Sequence, residues 1–230
     1  MTVSTYQNVI SVLTGDIVNS RKLSEEERKL LYQELLHLSS QLQFNHSDTI
    51  LYPMSIFRGD SWQLILAHPE KSLEICMLIR TYIISRFPTR KIDSRVAIGI
   101  GKVNFIPTEN AAAGDGPAFL LSGILLESMG YERMAIGFDL KQDLIETTTI
   151  CSLVSLIDQI VTGWSASQAQ AVFLTMQGKN QSESAQEWEP QAISQTAVSK
   201  NLKASGWKNV KKNLLVFAML VKYIIEAEEK

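Results

Sequence analysis

The order of hydrophobic patterns in residues 1–140 constrains the fold of this chain most strongly. Short apolar or alternating runs, typical of strands, exchange with longer stretches whose apolar residues recur every three or four positions, as in helices. Strands are expected at 9–13, 51–57, 62–67, 95–100 and 134–138, and helices are expected after Ser24, from Pro69 and after Gly116. The predicted order is strand, helix, strand, strand, helix, strand, helix, strand.

A β-α-β-β-α-β unit accommodates this order with short connections and right-handed crossovers, so that helices cover one face of a mainly antiparallel sheet. We therefore predict an α+β chain in which residues 1–145 form a ferredoxin-like domain. Residues 146–230 show helical patterns only. They predict an all-α domain with a helix-turn-helix at about 165–205.

Length, charge and cysteine usage narrow the class of protein. A chain of 230 residues with 45% hydrophobic content can bury its own core, and a formal net charge of -2 gives no overall attraction to nucleic acid. We see no leader pattern and no apolar run wide enough for a bilayer, so no membrane crossing is expected. Cys76 and Cys151 lack metal-ligand spacing, and the default for both is a buried free thiol, which fits a cytoplasmic location.

Two Gly-Asp pairs carry the clearest chemical signal. Asp16 follows the first expected strand, and Asp60 lies at the turn of the expected hairpin. Gly-Asp is also ordinary turn chemistry, in which the carboxylate bonds its own backbone. Two such pairs beside strands favour a functional site, because Mg²⁺ takes oxygen ligands and needs only one or two carboxylates besides substrate phosphates. Gly15 and Gly59 would let the backbone approach a ligand or adopt positive φ.

The segments around these aspartates resemble the catalytic core of class III nucleotide cyclases. Residues 13–20 resemble the first metal motif of that core, and Arg58-Gly59-Asp60 resembles the second, at the tip of the central hairpin. Within this broad group the chain is most similar to the SatD family, over nearly its whole length. That similarity lies in Gly-Asp-Ile-Val-Asn-Ser-Arg at 15–21, Arg-Gly-Asp at 58–60, Gly-Ile-Gly at 99–101 and Gly-Pro-Ala-Phe at 116–119.

The resemblance implies that Asp16 and Asp60 bind Mg²⁺ or Mn²⁺ beside a nucleotide. Backbone groups after Asp16 would face the phosphates, and two arginines could contact phosphate oxygens or form surface ion pairs instead. The nucleotide-binding residues so implied are Gly15, Ile17, Asn19, Ser20, Arg21, Arg58 and Gly59. The cyclases' Asn and Arg that stabilise the transition state are absent from the apolar stretch 119–126, which favours binding over catalysis.

The C-terminal part predicts a second kind of contact. The helix expected from Ser194 to Ala204 resembles the recognition helix of bacterial regulators. Between 179 and 212 there are six lysines and three acids, a local charge of +3. The residues expected to reach double-stranded DNA are Gln195, Thr196, Ser199, Lys200 and Lys203. A helix-turn-helix can also be a packing module, and residues 189–192 make a longer connection than the usual tight turn.

Two apolar helical stretches, 149–161 and 214–225, need partners. The second is apolar nearly all round and too short to span a bilayer, so it is expected to be buried inside the chain or between protomers of a homodimer. The favoured function is a cytoplasmic regulatory protein that senses a nucleotide or metal-nucleotide and binds DNA. The alternatives are an active Mg²⁺-dependent nucleotide cyclase or nucleotidyl-transfer enzyme, and a structural adaptor with both sites vestigial.

Overall fold

A computed structural model of the chain describes residues 9–107, 113–140 and 144–228. These residues form an α+β structure, as predicted, with one five-stranded sheet and several helices. The strands are β1 Ile10–Val18, β2 Ser55–Phe57, β3 Ser61–Leu66, β4 Asp93–Gly101 and β5 Met134–Asp139. The α-helices are α1 Glu25–Asn45, α2 Ser72–Arg86, α3 Pro117–Ser128, α4 Leu144–Thr162, α5 Ala166–Met176, α6 Gln181–Gln186, α7 Gln195–Ala204 and α8 Trp207–Glu228.

The sheet places β1 at its centre. The strand order is β2-β3-β1-β4-β5, and every neighbouring pair is antiparallel except β4 and β5, which are parallel. The predicted order of strands and helices is therefore correct over this part of the chain. The sheet brings the carboxyl half of β1 beside the beginnings of β3 and β4.

Strand β1 is longer than the apolar run that predicted it. It continues past Leu13 to Val18 because this half pairs on both sides, with Asp16 opposite Ser61 in β3 and Arg95 in β4. The first Gly-Asp pair thus lies inside a strand, and only the second lies at a turn. A carboxylate in the middle of a sheet faces a fixed neighbour on each side.

Helices cover both faces of the sheet, so the expectation that they lie on one face is wrong. Helices α1 and α2 pack on the face that carries Leu13, whereas α3 packs on the face that carries Val12. A Cβ at Gly99 would lie 2.3 Å from the backbone oxygen of Ala118, so the absence of a side chain there lets α3 approach β4 closely. Thr14 and Ser122 also join α3 to β1 by a hydroxyl hydrogen bond of 2.8 Å.

The helical C-terminal part shares the main core and adds a small one. Helix α5 packs on α2, where the rings of Tyr82 and Phe173 meet edge to face at 5.1 Å, and α8 packs along α4. Helices α5, α6 and α7 also enclose a separate cluster of buried residues. This cluster contains Ala171, Leu174, Ala185, Trp188 and Val198.

Helix α8 is less buried than its sequence predicts. Phe217 and Val221 are buried, but Leu215 is 63% exposed and Met219 is 71% exposed. The described residues therefore cover one side of the apolar segment, and burial between protomers stays a prediction. The prediction that Cys151 is buried is wrong, because it lies on an exposed face of α4, whereas Cys76 is buried as predicted.

Helix α4 is the one described helix long and apolar enough to cross a membrane, over Ile145–Thr162. By length and composition alone this is weak evidence, because a core helix passes the same test. The helix packs against β5 and α8, and it carries the buried Asp158, which pairs with Arg80. These contacts bury one side of the helix, and 28% of the segment Ile145–Thr162 is buried in the structure.

Candidate functional site

A cleft of about 460 Å³ opens where β1 ends, beside the β2–β3 hairpin and the segment between α3 and β5. Asp16 and Asp60, the two aspartates of the Gly-Asp pairs, both line this cleft. The charged residues on its wall are Asp16, Asp60, Arg21, Lys22, Arg95 and Arg133. Within the described part of the chain, the cleft thus gathers four cations and two carboxylates, a formal excess of two positive charges.

The carboxylate of Asp16 is held by the guanidinium of Arg95. Nε of Arg95 donates to Oδ1 at 2.9 Å, and Nη2 donates to Oδ2. The two residues are directly opposite in the register of β1 and β4, so the strands themselves create the pair. The hydrogen bond with Asp16 raises the pKa of Arg95 above its ordinary value. Both side chains remain about a quarter exposed to the cleft, at 26% for Asp16 and 29% for Arg95.

Asp60 is presented by the hairpin turn and fixed by polar contacts. Its Oδ2 accepts a hydrogen bond of 2.7 Å from Ser20 Oγ, and its backbone oxygen accepts one of 3.0 Å from the backbone N–H of Ile17. The turn before it is left-handed, with φ of 55° at Arg58 and 84° at Gly59. Gly59 adopts this conformation without strain, whereas the Cβ of Arg58 makes it unfavourable there.

The structure separates the residues expected to contact a nucleotide into two groups. Ile17, Asn19, Ser20 and Arg21 line the cleft together with the aspartates. Within the described part of the chain, Gly15, Arg58 and Gly59 do not lie on the cleft wall. These placements describe position and leave the binding roles as predictions.

Gly15 is required by packing on the other face of the sheet. A Cβ there would lie 2.4 Å from the Trp62 ring. Trp62 is buried in the core, and its Nε1 donates to Ser94 Oγ at 3.1 Å. Ser94 Oγ in turn donates to the backbone oxygen of Asp16 at 2.8 Å. The two hydrogen bonds of Ser94 thus connect the backbone of Asp16 to Trp62 in the core.

The donor set fits a metal ion only in combination with a ligand. No three His, Cys, Asp or Glu side chains come together as a metal site within the described ranges. Two carboxylates with phosphate oxygens suit Mg²⁺ chemically. Among the described residues, Oδ1 of Asp60 has one hydrogen-bond donor, Ser61 Oγ at 3.5 Å. Both oxygens of Asp16 accept from Arg95, so a metal ion there would share the carboxylate with a guanidinium.

Three cleft cations were missed by sequence reasoning. Arg95 could have been found from the antiparallel register, because it lies directly across from Asp16. Lys22 follows the predicted motif directly. Arg133 lies directly before β5, far along the chain, and no local signal marks it. Its Nη1 donates to the backbone oxygen of Tyr131 at 3.1 Å.

Behind the cleft, a buried ionic network links the sheet to α4. Arg80 on α2 is fully buried, and its Nε donates to Asp93 Oδ1 at 3.0 Å. Its Nη1 donates to Asp158 Oδ1 on α4 at 2.7 Å. Asp158 Oδ2 accepts from the backbone N–H of Arg133 at 2.8 Å, which fixes the backbone of a residue on the cleft wall.

The residues expected to contact DNA lie on the outer side of α7. Gln195, Thr196, Lys200 and Lys203 are exposed and Ser199 is half-buried. Val198 points into the small core of α5–α7. Ser194 caps the helix, accepting from the backbone N–H of Ala197 at 3.2 Å. The polar side is therefore free of the chain's own core.

The model of the SatD family matches residues 10–219, which cover the sheet, the cleft and most of the helical part. No curated protein matches the chain.

Proposed function

The chain belongs to the SatD family, and we propose that it is a cytoplasmic regulatory protein that binds a nucleotide, together with Mg²⁺ or Mn²⁺, in the cleft beside Asp16 and Asp60. One observation carries the proposal: among the described residues, two carboxylates, Asp16 inside β1 and Asp60 directly before β3, line the same cleft as four cations. Carboxylates suit a divalent cation, and guanidinium groups suit phosphate oxygens.

The charge of the cleft supports an anionic ligand. Arg21, Lys22, Arg95 and Arg133 exceed the two carboxylates by two charges. A bound Mg²⁺ would supply neutralisation and orientation of the phosphates. Ser20 Oγ donates to the carboxylate of Asp60, and the backbone N–H of Ile17 donates to the backbone oxygen of Asp60, so both contacts hold Asp60 at the cleft.

The topology supports the cyclase-like, ferredoxin-like interpretation of the first domain. The antiparallel order β2-β3-β1-β4 is the order expected of a β-α-β-β-α-β unit, with β5 added at the β4 edge and α3 packed on the second face of the sheet. The resemblance to the cyclase core implies that Asp16 and Asp60 are the metal ligands. We propose binding without efficient turnover, because residues 119–126 of α3 offer only Ser122 as a polar side chain, and Ser122 is buried against Thr14.

A second proposed function is DNA binding by α5–α7 acting as a helix-turn-helix. Three short helices with their own small core, and an outer face of α7 that carries Gln195, Lys200 and Lys203, support it. Amides suit base edges, and lysines suit phosphates. Nucleotide binding would then be the input and DNA binding the output.

A thermal-shift screen of the full chain tests the nucleotide proposal. Each nucleoside triphosphate is added with and without Mg²⁺, because a ligand that binds only the folded state raises its stability by about 2.7 kcal/mol at 100 times its Kd. At least one nucleotide should raise the melting temperature by several degrees, and only with the metal. The absence of a shift with every nucleotide would contradict the proposal.

A further inference from the structure

We infer that Arg95 is a built-in counter-cation of the metal-binding carboxylate: it holds Asp16 while the cleft has no ligand, and it moves to the ligand's phosphate when Asp16 binds a metal ion. This inference rests on the proposed function and assigns a role to a residue outside the motifs. The observation that carries it is the two-point contact of Arg95 with Asp16, Nε to Oδ1 at 2.9 Å and Nη2 to Oδ2.

Competition for Asp16 follows from the geometry. Both carboxylate oxygens accept from one guanidinium, so a metal ion that binds Asp16 meets a positive charge already held there and competes with it for the carboxylate. Among the described contacts, Arg95 pairs with Asp16, whereas Oδ2 of Asp60 accepts from Ser20. Arg95 therefore selects against a metal ion alone.

Exposure allows Arg95 to move. Its side chain is 29% exposed on the cleft wall, and its only other described contact is a long one, 3.4 Å from Nη1 to the backbone oxygen of Met129. Arg80 is the contrast: it is fully buried and bonded to Asp93, Asp158 and Thr162, so moving it would strand two carboxylates. Among the described residues, Arg80 is thus the fixed partner of two aspartates, whereas Arg95 is the releasable partner of one.

A bound phosphate would give the guanidinium of Arg95 new oxygens to bind. Arg95 lines the cleft together with Arg21 and Arg133, so a polyphosphate bound there offers its guanidinium a new pair of oxygens. When Arg95 turns to phosphate, Asp16 is released for the metal. The metal and the phosphate should therefore strengthen each other's binding, and the coupling must be reciprocal.

Mn²⁺ alone and inorganic tripolyphosphate with Mg²⁺ are the probes, and Arg95→Gln is the main variant. The variant should bind Mn²⁺ alone about five-fold more tightly than the parent chain, because a competing cation is gone. The gain should vanish in Arg95→Gln combined with Asp16→Asn. The same Arg95→Gln variant should bind Mg²⁺-tripolyphosphate about ten-fold more weakly, because it lacks a charge-assisted contact. Manganese binding is followed by electron paramagnetic resonance and phosphate binding by calorimetry.

Arg90→Gln is the matched control. Arg90 also pairs with a carboxylate, Nε to Glu27 Oε1 at 2.8 Å, but it does not lie on the cleft wall among the described residues. The Arg90→Gln variant should bind Mn²⁺ and Mg²⁺-tripolyphosphate with the affinities of the parent chain. If Arg95→Gln unfolds, Arg95→Lys keeps the charge but loses the two-point contact, and a smaller gain in Mn²⁺ affinity is expected.

The two arms separate this inference from the proposed function. If Arg95→Gln binds Mn²⁺ no more tightly than the parent, Arg95 is a structural partner of Asp16 and the inference is overturned. If the parent binds neither Mg²⁺-tripolyphosphate nor any nucleotide, the proposed function fails, while the Mn²⁺ arm still decides whether Arg95 competes for Asp16.

Discussion

Arg80 and Asp158 form a buried ion pair, 2.7 Å between Nη1 and Oδ1, that joins α2 to α4. Burial alone would lower the pKa of Arg80, but Asp93 and Asp158 raise it, so the guanidinium stays charged. The second oxygen of Asp158 holds the backbone of Arg133 at 2.8 Å. The pair therefore supports both the main core and the cleft wall.

Replacing Arg80 with Met should destabilise the fold strongly. Removing one partner of a buried ionic network leaves the other charges unpaired, at a cost of about 3–5 kcal/mol in the free energy of unfolding. Urea unfolding of the parent and the variant measures the loss. Arg90→Gln, which breaks a more exposed pair, should lose less than about 1 kcal/mol. Equal losses for the two variants would contradict the role assigned to Arg80.

The sequence located most elements because their signals are local. Ser24 and Ser165 cap α1 and α5 with capping boxes, and leucine periodicity marked the buried side of α1. The position of α3 was missed because apolar residues on both sides of β1 allow a helix on either face. Its placement depends on Gly99, where contact with Ala118 requires the absence of a side chain.

The candidate site was predictable only in part. Asp16 and Asp60 carry a short motif, and both line the cleft. Arg133 lines the cleft because β5, which follows it, pairs with β4. This pairing joins segments that are distant in sequence. Arg58 belongs to the motif, yet its left-handed backbone at the hairpin tip leaves it off the cleft wall.

The two cysteines should differ sharply in reactivity. Cys151 is exposed on α4, although partial burial raises its pKa, whereas Cys76 is fully buried. A disulfide reagent should modify one thiol in the folded protein and the second only in denaturant. Cys151→Ser should leave no thiol reactive in the folded state. Rapid modification of Cys76 in that variant would contradict the packing of α2.

Cys76 should also make stability fall at high pH. Burial raises the pKa of Cys76 to about 12, whereas the thiol of the unfolded chain ionises near its ordinary value of about 8.5. Above that value the unfolded chain binds fewer protons than the folded one, so stability decreases as pH rises toward 12. The decrease should not exceed about 1.4 kcal/mol per pH unit. Urea unfolding of the parent and Cys76→Ala at about pH 8 and about pH 10 isolates this contribution. A parent that loses no more stability than Cys76→Ala would contradict it.

If α7 enters the major groove, the full chain should bind duplex DNA with a steep dependence on salt. Lys200→Ala combined with Lys203→Ala should reduce the slope of log affinity against log salt by about 2, because two phosphate contacts are lost. Gln195→Ala should instead relax sequence preference. Gel retardation over genomic fragments measures both effects. Failure to retard any fragment at low salt would make α5–α7 a packing module.

Turnover to cyclic nucleotides should be absent or very weak. The stretch 119–126 of α3 carries no Asn or Arg, and losing one preorganised transition-state donor costs about 10²- to 10³-fold in rate. Chromatography after incubation with each triphosphate and Mg²⁺ or Mn²⁺ measures the product. Efficient metal-dependent conversion would favour the enzyme alternative.

Calorimetric titration of the full chain with nucleoside triphosphates, with and without Mg²⁺, tests the central claim most directly. The parent and Arg90→Gln should bind at least one nucleotide in a Mg²⁺-dependent manner. Asp16→Asn combined with Asp60→Asn should lose that dependence, because the amides keep the shape but remove the charges that hold the metal. If this double variant binds the Mg²⁺-nucleotide as tightly as the parent, the cleft is not the metal-nucleotide site.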